Sequence, residues 1–243
     1  HMIPNHAIII LSLLFGDDDL QKTLMIVNTA GHDTDCNSGN VGCIMGIKNG
    51  LEGLRNGPDY LTPIQDRMYC PTANGGETQT DALTEAYKVI NTAKKMNKEE
   101  TVEPKNGSRF HFEMPGSVQG WRSSFKNNKN ISTIVQNTEY ESSIGKRALE
   151  IKFDRVAPGV CSEAVVDTFF PQELYELTGS ARERFFQSYN FISCPLLYSG
   201  QNIESEIIFK SNSQKPITVT CFINVFGEAV SYTHLTLPTI YSV

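Results

Sequence analysis

NTAGHDTDCNSGNVGCIMG, residues 28–46, sets two aspartates one residue apart, Asp33 and Asp35, ahead of a row of glycines and other small residues. Gly31 ends the helix before the pair, so the aspartates belong to the start of the next one, expected from about Asp35 to Gly50. Carboxylates are favoured there by the positive end of the helix dipole and by the unpaired N–H groups of the first turn. One N-cap needs only one of them. The row Gly39, Gly42, Cys43, Gly46 and Gly50 carries a cost of about 1 kcal/mol for each interior glycine relative to alanine, which close helix–helix approach would offset. An acidic helix start packed among other helices suits a hard, oxygen-ligated cation such as Mg²⁺ or Mn²⁺.

The flanking sequence is helical on both sides. Residues 4–15 carry helical apolar spacing, with Pro4 in the first turn and Gly16 as the stop. Asp18 or Asp19 then caps a second helix through about Thr29. After the aspartate helix, Gly57, Pro58, Pro63, Pro71, Gly75 and Gly76 punctuate a loop, and a fourth helix is expected over about Thr80–Met96. Composition changes at KKMNKEETVEPKNGS, residues 94–108, polar and charged with Pro104 and Gly107, as expected of an interdomain linker. Beyond it FHFEM (110–114), ALEIKFDRV (148–156), EAVVDTFF (163–170), ESEIIFK (204–210) and ITVTCFINVF (217–226) alternate or run in β-branched and aromatic residues, an antiparallel β-sandwich pattern.

Bulk composition excludes several classes. The 21 Lys and Arg against 27 Asp and Glu include no basic stripe of the kind that tracks phosphates, so nucleic acid is not an expected partner. The longest apolar run, AIIILSLLF at Ala7–Phe15, is far short of a bilayer span, and no membrane association is expected. Six cysteines (Cys36, Cys43, Cys70, Cys161, Cys194 and Cys221) contain no C-x-x-C pair. They read as reduced, buried thiols, which favours a cytoplasmic setting. The chain enters a helix at its first residues, which reads as a start inside a longer domain.

The pattern G-x-D-T-D-x-N-x-G-x-x-G, carried by Gly31, Asp33, Thr34, Asp35, Asn37, Gly39 and Gly42, resembles the C-terminal metal motif of the ADP-ribosylglycohydrolases, enzymes that remove ADP-ribose from modified proteins. HMIPNHAIIILSLLFG and PDYLTPIQDRMYCPTANGGETQTDALTEA are similar to the segments that flank that motif, so the resemblance covers about residues 1–97. It implies an all-α domain with a binuclear Mg²⁺ or Mn²⁺ centre, in which Asp33 and Asp35 are ligands. It also implies hydrolysis of the glycosidic bond between ADP-ribose, or a related ribosyl group, and its acceptor, with an ADP-ribosylated protein or a small ADP-ribosyl compound as substrate. The family often has Thr or Ser after the second aspartate, able to reach the metal. Here that residue is Cys36, too soft a ligand for magnesium. Thr34, His32 and Asn37 are the other residues of the motif that could touch metal or substrate. In the family the remaining ligands come from an earlier acidic motif and a Thr-Asp-Asp cluster, on segments that would precede His1. The chain by itself is therefore expected to be inactive. Asp17, Asp18 and Asp19 form a second carboxylate run, but on a capping turn where solvation explains them.

The expected fold is thus multidomain α and β: a truncated all-α ADP-ribosylglycohydrolase-like helical domain over residues 1–97, a linker at 98–107 and an antiparallel β-sandwich over 108–228. The competing reading is a non-catalytic binding module, in which the sandwich recognises a glycan or protein and the helices are a remnant. Trp121, Phe110 and Phe112 would be its sugar-stacking platform, although alternating aromatics are usually core. Asp66 and Arg67 read as a local ion pair, and His1 and His6 flank the first helix start. AVSYTHLTLPTIYSV, residues 229–243, resembles a translated transposase adaptor of sequencing libraries and is expected to be a non-native tail.

Overall fold

The computed structural model describes residues 1–64, 66–70, 77–124, 132–154, 162–169, 177–188, 196–197, 200–212, 217–221 and 223. The chain gathers into two units, His1–Tyr69 with Thr80–Val166, and Cys70–Gln79 with Asp167–Val243. The architecture is mixed, with α-helices dominating the first hundred residues and the longer antiparallel pairing after them.

Three helices build the core of the first unit: α1 (Met2–Phe15), α2 (Leu20–Thr29) and α3 (Thr34–Arg55). Leu20, Val27, Val41 and Met45 are buried at its centre, with Ile8, Ile9, Leu13 and Leu24 packed against them. The corner between α1 and α2 requires Gly16. A Cβ there would collide with Thr23 Oγ1 and stand 2.8 Å from the Ser12 carbonyl oxygen. Thr23 cannot swing aside, because it is fully buried and its hydroxyl donates to the Asp19 carbonyl at 2.6 Å. Asp19 is the cap of α2, its carboxylate accepting the Lys22 N–H at 2.6 Å, and Gly31 follows the helix with φ of +72°.

The small-residue row of α3 does not mediate close packing. The residues α3 buries are Asn37, Val41 and Met45, one every four positions. At 100° per residue the glycine row lies on the opposite face. A Cβ at Gly39, Gly46 or Gly50 would meet nothing within 4 Å, and one at Gly42 would meet only Leu24 Cδ2, at 3.8 Å. Cys36 and Cys43 are likewise exposed, not buried. At Gly50, where the helix was expected to end, φ of +64° and ψ of −165° break it, and a further helical piece runs on to Arg55. α1 is apolar around its circumference, yet Met2, Ile3, Leu14 and Phe15 face solvent.

A fourth helix, α4 (Ala82–Met96), starts on Asp81 and buries no residue fully. Polar contacts hold it. Asn91 Nδ2 donates to the Val102 carbonyl at 3.0 Å and Asn91 Oδ1 accepts the Val102 N–H at 2.9 Å, folding the charged stretch after α4 back onto it. Residues 98–107 lie inside the first unit.

The described strands are β1 (Met68–Tyr69), β2 (Gln79–Thr80), β3 (Arg122–Ser123), β4 (Ser132–Glu139), β5 (Arg147–Asp154) and β6 (Ala164–Val165). β3 pairs with β6 and β4 with β5, both antiparallel, the longer ladder running from Ser132↔Asp154 to Glu139↔Arg147. Among the described residues these are two-stranded ladders, neither a sandwich nor a closed barrel. FHFEM is no strand, because Phe112 takes φ of +55° and gives its N–H to Gln119 Oε1 at 2.9 Å. Among the described residues EAVVDTFF contributes only β6, and 204–210 and 217–221 join no ladder; residues 170, 222 and 224–226 lie outside the described residues. A short helix not anticipated from the sequence, α5 (Gly179–Ser188), lies in the second unit. Residues 229–243 lie outside the described residues.

Candidate functional site

Asp33 occupies the N-cap position of α3 without acting as a side-chain cap. Its backbone is left-handed, φ 46° and ψ 53°, and its carboxylate makes no bond to the first-turn N–H groups. Instead it accepts the Asn5 side-chain amide from α1. Asn37, almost fully buried, braces the turn: its Nδ2 donates to the His32 carbonyl at 3.0 Å and its N–H to the Asp33 carbonyl at 3.1 Å. That is a structural role. Thr34 is the first residue of α3 and is half-buried. His32 stacks on His1, ring centroids 5.9 Å apart and 17° between planes, and its Nε2 is buried without a hydrogen-bond partner.

The turn brings Asp33, Asp35 and Cys36 together, with one ligand atom of each within 4.8 Å of the others. Asp35 lies in the first turn, where the helix dipole favours its charge. The Cys36 thiol is pushed up from its ordinary pKa by its hydrogen bond to Asp33 and by the charges of Asp33 and Asp35, which keeps it protonated at neutral pH. The donor set is therefore two hard carboxylates and one neutral soft thiol. The carboxylates fit Mg²⁺ or Mn²⁺ and the thiol does not. Asn5 Oδ1, on the amide that also binds Asp33, is a buried oxygen with no hydrogen-bond partner and is a donor of the right hardness. Six or so oxygen ligands complete the shell of such a cation, more than these residues supply.

The rival acidic run is consumed locally. Asp17 pairs with Lys22, Asp18 with Lys48, and Asp19 caps α2. His6 lies on α1. The aromatic trio packs on itself: Phe110 stacks on Phe112 at 6.2 Å and meets Trp121 edge-on at 5.9 Å, all three half-buried. Asp66 does not pair with Arg67. Its buried carboxylate accepts the Ser117 hydroxyl, while Arg67 lies over the Tyr69 ring at 5.6 Å.

Asp66 belongs to a buried polar network that the sequence did not reveal. Asp81, 1% exposed, accepts Thr84 N–H and Thr84 Oγ1–H, both at 2.8 Å, and Gln119 Nε2–H at 3.2 Å, with Arg109 3.6 Å away. Burial pushes the Asp66 carboxyl up. His111 is also buried, and its Nδ1 accepts the Glu113 N–H at 3.1 Å, which only the neutral ring can do. Burial holds the imidazole below its ordinary 6.5, against the pull of Asp81 and Glu113 and with the push of Lys105 and Arg109. A depressed histidine pKa gives stability that is present in full above the unfolded value and is lost as pH falls through the folded one. The melting temperature should therefore drop between about pH 7 and pH 5. The drop should shrink in His111→Asn, whose side-chain oxygen can accept the same N–H without titrating. Equal drops in both proteins would show that another group governs the acid limb.

No family model, curated protein or solved structure matches this chain.

Proposed function

We propose that this chain contributes the Asp33 and Asp35 ligands to a Mg²⁺ or Mn²⁺ centre, binuclear in the complete enzyme, of an ADP-ribosylglycohydrolase-like hydrolase. The observation that carries this reading is the convergence of the two carboxylates at the start of α3, with Asp33 held in a left-handed conformation and not used as a cap. A carboxylate that does no capping work at a helix start, set beside a second one, is available to a cation. The exposed apolar residues of α1 also fit a domain in which further helices cover them and bring the remaining ligands.

The bond cleaved is the glycosidic bond at the anomeric carbon of the ribose, in an ADP-ribosylated protein or a small ADP-ribosyl compound. When bound, a metal pair supplies charge stabilisation and an activated water. Asp33 and Asp35 hold the charge in place, Asn5 orients Asp33, and Asn37 fixes the turn that sets the spacing of the pair. Two free carboxyls flanking the bond, as in most glycosidases, are not required. The β-rich remainder is an appended module in this reading.

Titration of the 243-residue chain with Mn²⁺, followed by paramagnetic broadening of backbone amide signals, tests the assignment. Residues 32–37 and Asn5 should broaden first, and Asp35→Asn should remove the effect. Broadening that begins at Asp17–Asp19 would overturn it.

A further inference from the structure

Residues 202–210 of the second unit run without helix, turn or bend, join no strand ladder among the described residues, and are exposed throughout. Their sequence is nevertheless that of an amphipathic strand. With side chains alternating sides, Ile203, Ile207 and Phe209 share one face, and Glu204, Glu206, Ile208 and Lys210 the other. Ile203, Ile207, Ile208 and Phe209 are each about half exposed, between 45% and 54%. Next to the segment, Ile203 joins Leu197, Gln201 and Ile223 around an open groove of about 210 Å³. A strand-patterned, unpaired, apolar segment in water is a template for pairing with another strand.

We propose that the strand it pairs with is the same segment of a second copy, antiparallel about Ile208. This register sets Glu206 opposite Lys210 of the partner copy at both ends of the pair, and Ile207 opposite Phe209. Opposite charges and a β-branched residue facing an aromatic are both stabilising cross-strand pairs. A one-position shift of the two-fold to Ile207 would keep an opposite-charge pair, Glu204 with Lys210, but would set Phe209 against Ser205 and the Glu206 carboxylate against Ile208. Parallel in-register pairing would stack Glu on Glu and Lys on Lys. The segment is thus best matched to itself about Ile208, where both the charge pair and the Ile207–Phe209 pair form, and pairing there makes a single apolar face from Ile203, Ile207 and Phe209 of each copy.

Sedimentation equilibrium of the full 243-residue chain tests the proposal through charge reversal. The parent should dimerise with increasing concentration. Lys210→Glu or Glu206→Lys alone places like charges opposite each other twice per dimer and should weaken association roughly tenfold or more. The double variant Glu206→Lys/Lys210→Glu restores opposite charges and should return the dimer to within about threefold of the parent. A chain that stays monomeric at every concentration, as it would if residues 217–226 of the same chain took up the segment, overturns the proposal. So does a dimer indifferent to the single reversals, or one that the double variant fails to restore.

Discussion

Alanine in place of Asp81 should cost the first unit about 2–3 kcal/mol, the sum of a lost N-cap and of the buried hydrogen-bond donors it leaves behind. The Asp81 side chain is 2% exposed and sits 3.6 Å from the Arg109 guanidinium. Its loss takes away the cap of α4 and removes one acceptor of the Gln119 amide and the ion-pair partner of the partly exposed Arg109. Since α4 has no fully buried side chain, little hydrophobic burial compensates. Against a total of about 5–15 kcal/mol for a domain, that is a large share. Asp81→Asn keeps an oxygen for Thr84 N–H and should cost less, about 1–2 kcal/mol. Urea unfolding of the three proteins measures both values. A cost below about 1 kcal/mol for the alanine variant would mean that Arg109 and Gln119 find other partners.

On the proposed metal assignment, Asp35→Asn should abolish most of the hydrolase activity of a protein that also supplies the earlier acidic and Thr-Asp-Asp motifs. The substitution preserves size and removes the charge a divalent ion needs at its ligand. Changes one shell further out in metal sites already cost about 10–100-fold, so kcat/KM should fall by on the order of a hundredfold or more. Release of ADP-ribose from a modified protein, with Mg²⁺ or Mn²⁺ and then with chelator, gives the readout. The 243-residue chain by itself should release none. Full activity in Asp35→Asn, or turnover that survives chelation, would sink the metal assignment.

The helical half of the molecule was legible because its signals are local. Gly16, Asp19, Gly31 and Asp81 each terminate or cap an element through contacts within a few residues, and the sequence placed α1, α2 and α4 to within a few positions. The two aspartates were legible for the same reason. The glycine row misled, because a row of small residues shows that a face is free of side chains and not what lies opposite it. The stripe Asn37, Val41, Met45 on the other face of α3 does the packing. β4 was hidden by composition: STIVQNTE carries Ser, Gln, Asn and Thr among its apolar residues, and its pairing depends on β5 fifteen or so residues on. FHFEM shows the converse, an alternating pattern overruled by the side chain of Gln119. The buried network of Asp66, Asp81, Arg109, Ser117 and Gln119 joins residues up to 51 positions apart, and no local pattern announces it.

The left-handed backbone of Asp33 decides which substitutions there are informative. An L-residue with a Cβ loses roughly 1–2 kcal/mol in that conformation, while asparagine and aspartate tolerate it through their short polar side chains. Alanine at position 33 would therefore report two quantities at once, a lost carboxylate and a turn pushed toward another geometry, and a scan by alanine would overstate the carboxylate's contribution. Glycine would err the other way, relieving the backbone while loosening the turn. Asparagine alone separates charge from conformation, so the pair of variants Asp33→Asn and Asp33→Ala dissects the motif: their difference measures how much of this site is chemistry and how much is the shape of one dihedral angle.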